Sequence, residues 1–511
     1  MRSKEFLLGV DIGTSSTKGV LIGSDGKPVA EASVEHDIKI IKSGWVEQDP
    51  EVCYWGDFKT VVRQLLIRSQ ISPSNIAGVG ISGLTPDLVP IDKDGRVVRP
   101  AIIYMDRRAW KECEDLERRI GFKSIVERTG NINDPYYAGY KLIWYLKNEP
   151  DNYRKTWKVL DASKYVVFKL TGVPSIDRST VMLYSPYYDV RDERWSDEIS
   201  SMVGGGVDKL PNICETQSII GSITPLAAKE TGLEEGTIVV SPGPDAILSA
   251  YSVGMVHSGD SCFMYGTTGC WFVVVDKPLF DPRLINTYHV VPGNYIVVGG
   301  MIATGGLIRW FRDKFGHLEK DLSELMGATA YQLLDREAER VNPGSDGLIV
   351  LPYFMGERTP IWDVNARGMI FGLTLNHSRA HVYRALLEAG GYGLRHHMEI
   401  ARSLGISVEE MLAVNGGARS KLWRQIISDI TGVSQEYVKE ALGAPFGDAF
   451  IAGVGAKLFK RIEDIKNYVN VGERTEPNSE NHKTYSQMYR IYLNLYEHTR
   501  EDCKALSSIW Q

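Results

Sequence analysis

The sequence contains the same local pattern twice: a short apolar run, a turn rich in hydroxyl groups, and a second apolar run. The first copy occupies residues 5–26, with its turn at residues 11–18, and the second occupies residues 261–275, with its turn at residues 266–269. Each copy predicts a strand, a polar turn and an antiparallel strand. A recurrence after about 255 residues is typical of a duplicated protein with two related domains.

The length and composition of the chain agree with this arrangement. A chain of 511 residues is long enough for two large hydrophobic cores, since domains average about 150 residues. Hydrophobic residues make up 43% of the chain and charged residues 24%, which is typical of globular proteins and argues against a disordered or membrane protein. The net charge of −6, with no long basic run, gives no support to nucleic-acid binding.

Strand and helix patterns alternate in both halves, which predicts a mixed α/β fold. Predicted strands beyond the repeats lie at residues 76–82, 88–91, 237–241, 295–300 and 348–352. Predicted helices lie at residues 108–119, 140–147, 246–253, 305–315 and 377–397. We place the domain boundary near residues 245–258, and assign residues 1–250 to the first domain and 251–511 to the second. Tyrosines at helical spacing predict a last helix packed on the second domain: Tyr485, Tyr489, Tyr492 and Tyr496.

The six cysteines are scattered and form no CxxC pair or metal-binding spacing. We therefore expect reduced, mostly buried thiols in a cytoplasmic protein. The first apolar stretch, residues 6–10, is stopped by Asp11 and is too short for a signal peptide, and nowhere do about 18 apolar residues follow one another. We expect a protein that is neither exported nor inserted in a membrane.

The two polar turns are suited to phosphate. In the first, a strand ends in Asp11 and continues through Gly13, Thr14 and Lys18, so a carboxylate lies beside backbone N–H groups and hydroxyls. Such a turn can hold phosphate oxygens while the carboxylate holds a hydrated Mg²⁺. An ordinary polar hairpin is an equally good interpretation of this turn alone. The second copy, at residues 266–269, favours two facing turns that grip a nucleotide between two domains.

Two other nucleotide motifs are not supported. The GxxxxGK[ST] pattern of P-loop proteins is absent. Gly78, Gly80 and Gly83 match GxGxxG, but they lie within a predicted strand that leads into a proline and not into a helix. A dinucleotide-binding motif needs a strand, a turn and a helix in that order, so we interpret this match as chance.

Three further segments are candidates for chemistry. Asp245 follows a Gly-Pro turn and begins a predicted helix, where it is either a helix N-cap or a base that accepts a proton from a substrate hydroxyl. Asp106 with Arg107 is either a polyol-binding group or a surface salt-bridge cluster. Gly416 and Gly417 lie between a strand and a helix, where a base or ribose can approach the backbone, unless this is a plain turn.

Taken in order, these segments resemble the FGGY carbohydrate kinases, which belong to the superfamily of sugar kinases, heat-shock ATPases and actin. The resemblance covers about residues 6–456 and rests on an ordered series of motifs. The series comprises residues 11–18, 106–108, 140–144, 244–246, 266–269, 356–360, 366–368, 415–420 and 443–449. It implies two actin-like (ribonuclease H-like) α/β domains that close over a cleft, with sugar against the first domain and ATP with Mg²⁺ against the second.

The resemblance also implies residue roles. Asp245 is similar to the family's catalytic base, and Asp11 to the carboxylate that positions Mg²⁺, through water. Residues implied to bind ATP or its phosphates are Gly13, Thr14, Lys18, Gly266, Thr267, Thr268, Gly305, Gly306, Gly416 and Gly417. Residues expected at the sugar are Thr85, Asp87, Tyr104, Asp106, Arg107 and Asp245.

The sequence departs from the family where the sugar is bound. Residues 356–360 are most similar to the xylulose kinase branch, yet Thr85-Pro86-Asp87 stands where that branch has Met-His-Gly and the glycerol kinase branch has Arg-Glu. Tyr104 stands where many relatives have Trp. Since the loss of one polar contact changes discrimination by about 10²-fold or more, a different ketose or polyol is an open alternative, with Asp87 as a compensating contact.

The leading hypothesis is an ATP-dependent kinase that phosphorylates a hydroxyl of a small sugar, a ketopentose such as xylulose. A kinase for another ketose or polyol is the first alternative. A nucleotide-driven binding or sensing ATPase of the same superfamily is the second, and a polyol-binding group beside a base disfavours it. We expect a small-molecule sugar as the partner and, because relatives are commonly dimers, a homodimer. Which sugar is used, which hydroxyl is phosphorylated and how the protein is regulated stay open.

Overall fold

Two large β-sheets organise the computed structural model, which describes residues 5–509 of the chain. The strands of the first sheet, in spatial order, are Ile219–Ser222, Ile238–Pro244, Ile76–Gly83, Phe6–Ile12, Ser16–Gly23 and Pro28–Glu35. The strands of the second, in spatial order, are Ile285–Tyr288, Tyr295–Met301, Gly269–Val275, Ser261–Tyr265, Glu410–Val414, Ser434–Val438 and Val471–Thr475.

Both sheets have the same pairing pattern around a central strand. Phe6–Ile12 pairs antiparallel with Ser16–Gly23 on one side and parallel with Ile76–Gly83 on the other. Ser261–Tyr265 likewise pairs antiparallel with Gly269–Val275 and parallel with a later strand. The repeat seen in the sequence is therefore a repeat of topology, and the predicted duplicated α/β fold is confirmed.

Helices cover the sheets and connect their strands. The α-helices are Asp57–Ser69, Trp110–Ile120, Phe122–Thr129, Ala138–Asn148, Pro150–Lys155, Ala162–Thr171, Arg178–Val181, Asp197–Val203, Pro225–Thr231, Asp245–Ser252, Gly305–Phe315, His317–Met326, Ala330–Ala338, Arg379–Ser403, Lys421–Thr431, Ala444–Gly455 and Ser479–Ile509. The short strands of the smaller sheets are Lys39–Lys42, Trp45–Gln48, Val89–Ile91, Ala101–Ile102, Lys158–Leu160, Ser175–Asp177, Tyr188–Asp189, Arg194–Trp195, Asn212–Cys214, Ile349–Leu351 and Met369–Phe371.

One helix of the second half, Ala444–Gly455, packs on the first sheet against strands Phe6–Ile12 and Ile76–Gly83. Glycines in these strands make room for it. A Cβ atom on Gly9 would lie 1.8 Å from a carbonyl oxygen of that helix, and one on Gly80 would lie 2.1 Å from another. Only glycine allows the helix to approach so closely, so the first sheet is built to receive part of the second half.

The GxGxxG match has a structural explanation. Gly78, Gly80 and Gly83 all lie in the strand Ile76–Gly83, as predicted, and no helix follows them directly. A Cβ atom on Gly78 would also lie close to the packed helix, 3.1 Å from a carbonyl oxygen. The match therefore reflects strand–helix packing, and the prediction that it is not a dinucleotide motif is confirmed.

The final helix, Ser479–Ile509, packs on the second domain as the tyrosine spacing predicts. Its four tyrosines at helical spacing are buried, and the Tyr492 hydroxyl lies 2.9 Å from that of Tyr353 in the core. All six cysteines are free thiols, four buried and two half-buried, as predicted. Within residues 5–509, no helix is long and apolar enough to span a membrane.

Candidate active site

The first polar turn is a tight hairpin, and the strand that leads into it carries a carboxylate near its end. Asp11 is the sixth residue of strand Phe6–Ile12 and lies opposite Lys18 in the antiparallel ladder. The backbone N–H of Gly13 donates a hydrogen bond of 3.0 Å to the carbonyl of Ser16, which closes the turn. The sequence therefore folds into a short loop with a carboxylate on one strand and an ammonium group on the other.

The second polar turn is held by the start of helix Gly305–Phe315. The N–H of Gly305 donates to the carbonyl of Gly266 (3.0 Å), and the N–H of Gly306 donates to the carbonyl of Thr267 (2.9 Å). A Cβ atom on Gly305 would lie 2.4 Å from the Gly266 carbonyl oxygen. The two helix glycines therefore allow the turn to lie against the helix N-terminus, where free N–H groups favour an anion.

A cavity of about 590 Å³ adjoins this second turn. It is lined by Tyr265, Gly266, Thr267, Gly305, Ile308, Arg309, Thr329, Tyr331, Gln332, Asp335, Tyr383, Leu387, Gly416, Gly417, Arg419, Ser420 and Trp423. Five of the predicted nucleotide residues thus meet in one place, and its size suits a nucleoside phosphate. Thr268 and Gly306 are not in the lining, and Gly306 acts instead by supporting Thr267.

Asp245 is the first residue of helix Asp245–Ser252, directly after strand Ile238–Pro244. The N-cap position belongs to Pro244, so the N-cap interpretation of Asp245 is wrong. Its Oδ1 accepts a hydrogen bond of 2.7 Å from the N–H of Ala246. Burial raises the pKa of Asp245 to about 6, against the opposing effects of that N–H and of Lys18. A carboxyl group with this pKa is ionised at neutral pH and still accepts a proton readily.

The carboxylates of Asp11 and Asp245 influence one another. Burial raises the pKa of Asp11 to about 8, and the negative charge of Asp245 adds to that effect. Lys18 and a hydrogen bond from Ser82 oppose it. Two nearby carboxyl groups whose pKa values are both raised suit a cation, since a bound cation stabilises their charged forms.

The charge of Asp245 is also felt by residues from the other walls of the cleft. It contributes to raised pKa values of Tyr104 and Tyr136, where burial is the main cause, and of Cys270, which follows the second turn. The first turn, the expected sugar wall and the strand after the second turn therefore converge on Asp245. This convergence is what a base between a sugar and a nucleotide requires.

Tyr104 joins the sugar wall to the first turn. Its hydroxyl accepts a hydrogen bond of 3.4 Å from Thr14 Oγ1, and its ring packs edge-on against that of Tyr136 at 6.2 Å. Lys141 holds this wall from behind, since its ammonium group donates to the carbonyls of Pro86 (3.3 Å) and Tyr136. Tyr104 thus lies against the first turn, and its contact with a sugar stays a prediction.

The structure corrects the prediction for Asp106. This residue is 1% exposed, and its carboxylate accepts hydrogen bonds from the Arg108 guanidinium (2.9 and 2.7 Å) and from the N–H of Val46 (2.6 Å). Asp106 is therefore neither a sugar contact nor part of a surface salt bridge, but one partner of a buried ion pair. Its neighbour Arg107 is bound to Asp134 by two hydrogen bonds of 2.5 and 2.8 Å, so its guanidinium is also occupied.

Asp87 and Thr85 lie beneath the sugar wall. Asp87 is 0% exposed, and its Oδ1 accepts a hydrogen bond of 3.1 Å from the N–H of Tyr104. Burial raises the pKa of Asp87 well above its usual value. The prediction of a direct sugar contact by Asp87 is corrected to support of Tyr104. Thr85 is 7% exposed, and its hydroxyl has no partner among the described residues.

The carboxyl groups of Asp11 and Asp245 suit a divalent cation that also binds phosphate. No group of three or more His, Cys, Asp or Glu side chains in residues 5–509 forms a closed metal cage. Asp11 and Asp245 offer oxygen atoms only, and one or two carboxylates are what such a cation needs when phosphate and water supply its other ligands.

Sequence reasoning missed several residues of the cleft. Tyr136 follows no motif, and Tyr331 and Gln332 reach the nucleotide cavity from a segment without a recognisable pattern. Arg358 lies within a motif that supports the family resemblance, but a motif alone does not show where a side chain lies. A pair of adjacent tyrosines after a proline was the one signal for Tyr136.

Two related α/β domains, with a buried carboxylate near a hydroxyl-rich turn and a cavity beside a second one, agree with a carbohydrate kinase. The family model for the N-terminal domain of the FGGY family of carbohydrate kinases matches residues 6–252, and the model for its C-terminal domain matches residues 262–456. The chain belongs to the FGGY family of carbohydrate kinases. It is a sugar kinase that uses ATP, and kinases of this class generally need a divalent metal ion.

Individual relatives agree with this assignment. Xylulose kinase of Bacillus subtilis (strain 168) is 28% identical over 511 residues, which cover 99% of each chain. Gluconokinase of the same organism is 27% identical and covers 96% of this chain and 95% of the relative. The crystal structure of xylulose kinase from Rhodospirillum rubrum is 30% identical, with a TM-score of 0.88 over 98% of this chain and 100% of the other. The predicted actin-like two-domain fold is thereby confirmed.

Proposed function

We propose that this protein transfers the γ-phosphoryl group of Mg²⁺-ATP to a hydroxyl group of a ketopentose such as xylulose. The observation that carries the proposal is the position of Asp245, whose charge reaches the first turn, the sugar wall and the strand after the second turn. Relatives named xylulose kinase that align over nearly the whole chain support this choice of sugar.

Asp245 is the catalytic base of the proposed reaction. It accepts the proton of the sugar hydroxyl while the oxygen forms a bond to the γ-phosphorus, and the bond from that phosphorus to the bridging oxygen breaks to release ADP. With a pKa of about 6, the carboxylate is ready to accept a proton at neutral pH. Its hydrogen bond from the Ala246 N–H orients the group.

The two turns position the nucleotide. We assign the adenosine to the cavity beside Gly416 and Gly417, and the phosphates to the N–H groups and hydroxyls near Thr267 and of the first turn, including Thr14. Mg²⁺, held through Asp11, would neutralise phosphate charge. Closure of the two domains over the cleft would exclude water and so limit wasteful hydrolysis of ATP.

The sugar is the least constrained part of the proposal, because the Thr85–Asp87 segment departs from the family pattern. The discriminating experiment measures ADP release by the purified protein with Mg²⁺-ATP and a panel of xylulose, ribulose, gluconate, glycerol and aldopentoses. We expect the highest kcat/KM with a ketopentose, and ³¹P NMR would identify the phosphorylated hydroxyl. ATP hydrolysis that no sugar stimulates would contradict a kinase and favour the sensing ATPase.

A further inference from the structure

Arg358 is a half-buried arginine whose side chain has no partner among the described residues. Its Nε atom is buried and unpaired, and no residue in 5–509 forms an ion pair or hydrogen bond with its side chain. By contrast the buried Arg384 donates to Glu388 (2.9 Å) and Tyr485 (3.0 Å). Because a half-buried charge with a buried, unpaired N–H group is unfavourable, the position of Arg358 favours an anionic ligand.

The residues on both sides of Arg358 hold its backbone in place. Glu357 Oε1 accepts hydrogen bonds of 2.8 Å from the N–H groups of Ile302 and Arg358. Thr359 Oγ1 accepts a hydrogen bond of 2.6 Å from the N–H of Gly300. The side chain between them is therefore presented from a fixed loop, which lowers the conformational cost of binding a ligand.

The guanidinium lies beside the second phosphate turn. Its Nη2 and Cζ atoms are 3.7 and 3.8 Å from the position of a Cβ on Gly300, so the guanidinium packs over that residue of the strand. Gly300 pairs with Cys270, the second residue of the strand that begins as the turn ends. Arg358 therefore lies over the strands where they leave the phosphate turn.

The charge of Arg358 also acts on the sugar wall. Burial raises the pKa of Tyr104 and of Tyr136, and the positive charge of Arg358 opposes that effect in both. Asp245 acts on the same two hydroxyls. Glu357 forms no ion pair with the guanidinium, since its Oε1 accepts hydrogen bonds from two backbone N–H groups and its Oε2 has no partner among the described residues.

We propose that Arg358 binds the phosphoryl group as it passes from ATP to the sugar, and afterwards the phosphate of the product. The inference rests on the proposed function. Arg358 donates hydrogen bonds to the equatorial oxygens and gives up no proton, while Asp245 takes the proton of the hydroxyl and ADP leaves with the bridging oxygen. An arginine suits this role because its fixed fork of donors matches phosphate oxygens.

The test compares Arg358→Met and Arg358→Lys with wild type, with Arg384→Met as the control for loss of a paired buried arginine. We expect Arg358→Met to lower kcat by about 10²- to 10³-fold with little change in the KM of the sugar. Arg358→Lys should recover part of the rate. The melting temperature should fall for Arg384→Met, which removes the ion-pair partner of the buried Glu388, and not for Arg358→Met.

Calorimetry with ADP and inorganic phosphate measures phosphate binding at Arg358 without turnover. We expect wild type to bind phosphate more tightly than Arg358→Met does. An unchanged kcat in Arg358→Met would overturn the inference, as would a raised sugar KM at constant kcat, which would mark Arg358 as a sugar contact. If wild type phosphorylates no sugar, the proposed function fails, and the phosphate affinities of the two proteins still decide the role of Arg358.

Discussion

Ser82 donates a hydrogen bond of 2.6 Å to Asp448 and so joins the first sheet to the helix Ala444–Gly455 of the second half. The same hydroxyl lies 3.4 Å from Asp11 Oδ1. Burial raises the pKa of Asp448 well above its usual value. The contact between the two halves therefore lies directly behind the carboxylate assigned to the cation.

The packing behind this contact predicts a graded effect of two substitutions. Gly80→Ala places a Cβ 2.1 Å from a carbonyl oxygen of the packed helix, whereas Gly78→Ala leaves 3.1 Å. We expect Gly80→Ala to lower the free energy of unfolding by about 3 kcal/mol, and Gly78→Ala by about 1 kcal/mol. Chemical denaturation monitored by circular dichroism would measure both, and equal stabilities would contradict the close approach.

The rate should depend on pH through Asp245. Because the base must be ionised, kcat should rise as the pH increases through about 6 and then level off. Lys18 lowers the pKa of Asp245, so Lys18→Met should move this rise to higher pH. The pH profile of kcat, measured at saturating ATP and sugar, checks both statements. A rise at the same pH in wild type and in Lys18→Met would argue against an effect of Lys18 on the pKa of Asp245.

Asp11 should make the metal-free protein less stable as the pH increases. Its pKa is about 8 in the folded protein and ordinarily 3.8, so between these values the folded state binds a proton that the unfolded state lacks. Stability from this group is therefore complete below about pH 4 and is lost as the pH rises toward 8. We expect Asp11→Asn to raise the melting temperature in EDTA more at pH 8 than at pH 5.

The response to a divalent cation shows whether Asp11 binds the metal or affects only the stability of the fold. Added Mg²⁺ should stabilise wild type, because it binds the folded state, and should stabilise Asp11→Asn much less. The variant should also lose activity. An Asp11→Asn protein whose melting temperature responds to Mg²⁺ as wild type does would show that the cation binds elsewhere.

The nucleotide cavity can be tested at Gly416, where an added Cβ meets no atom within 4 Å. Gly416→Val should therefore leave the melting temperature unchanged while its side chain projects into the space assigned to adenosine. We expect a KM for ATP raised about tenfold or more, with little change in the KM of the sugar. An unchanged KM for ATP would place the nucleotide outside this cavity.

Much of the fold follows from local sequence patterns. The two strand–turn–strand copies, the tyrosine helix and the strand that contains Gly78 and Gly80 are all predictable, because apolar periodicity and turn residues act over short distances. Boundaries are less predictable: the helix expected at residues 377–397 runs from Arg379 to Ser403. The packing of Ala444–Gly455 on the first sheet was not predictable, since it depends on contacts distant in sequence.

The functional site, like the fold, was predictable only where local sequence patterns decide it. Asp11, Asp245 and the glycines of the nucleotide cavity stand at strand or helix ends, where the local pattern places them. Asp106 looked equally promising, but its neighbour Arg108 and the backbone of Val46 use its oxygens inside the protein. A sequence does not reveal which of two adjacent arginines a carboxylate binds, nor that Arg358 lacks a partner.

The most direct test of the account is Asp245→Asn. Asparagine keeps the size of the side chain and an oxygen that can accept the Ala246 hydrogen bond, but it cannot take a proton from the sugar. We predict a kcat lowered by about 10³-fold, with unchanged ATP affinity by calorimetry and a melting temperature that does not fall. A variant that retains most of the wild-type kcat would contradict the assignment of Asp245 as the base.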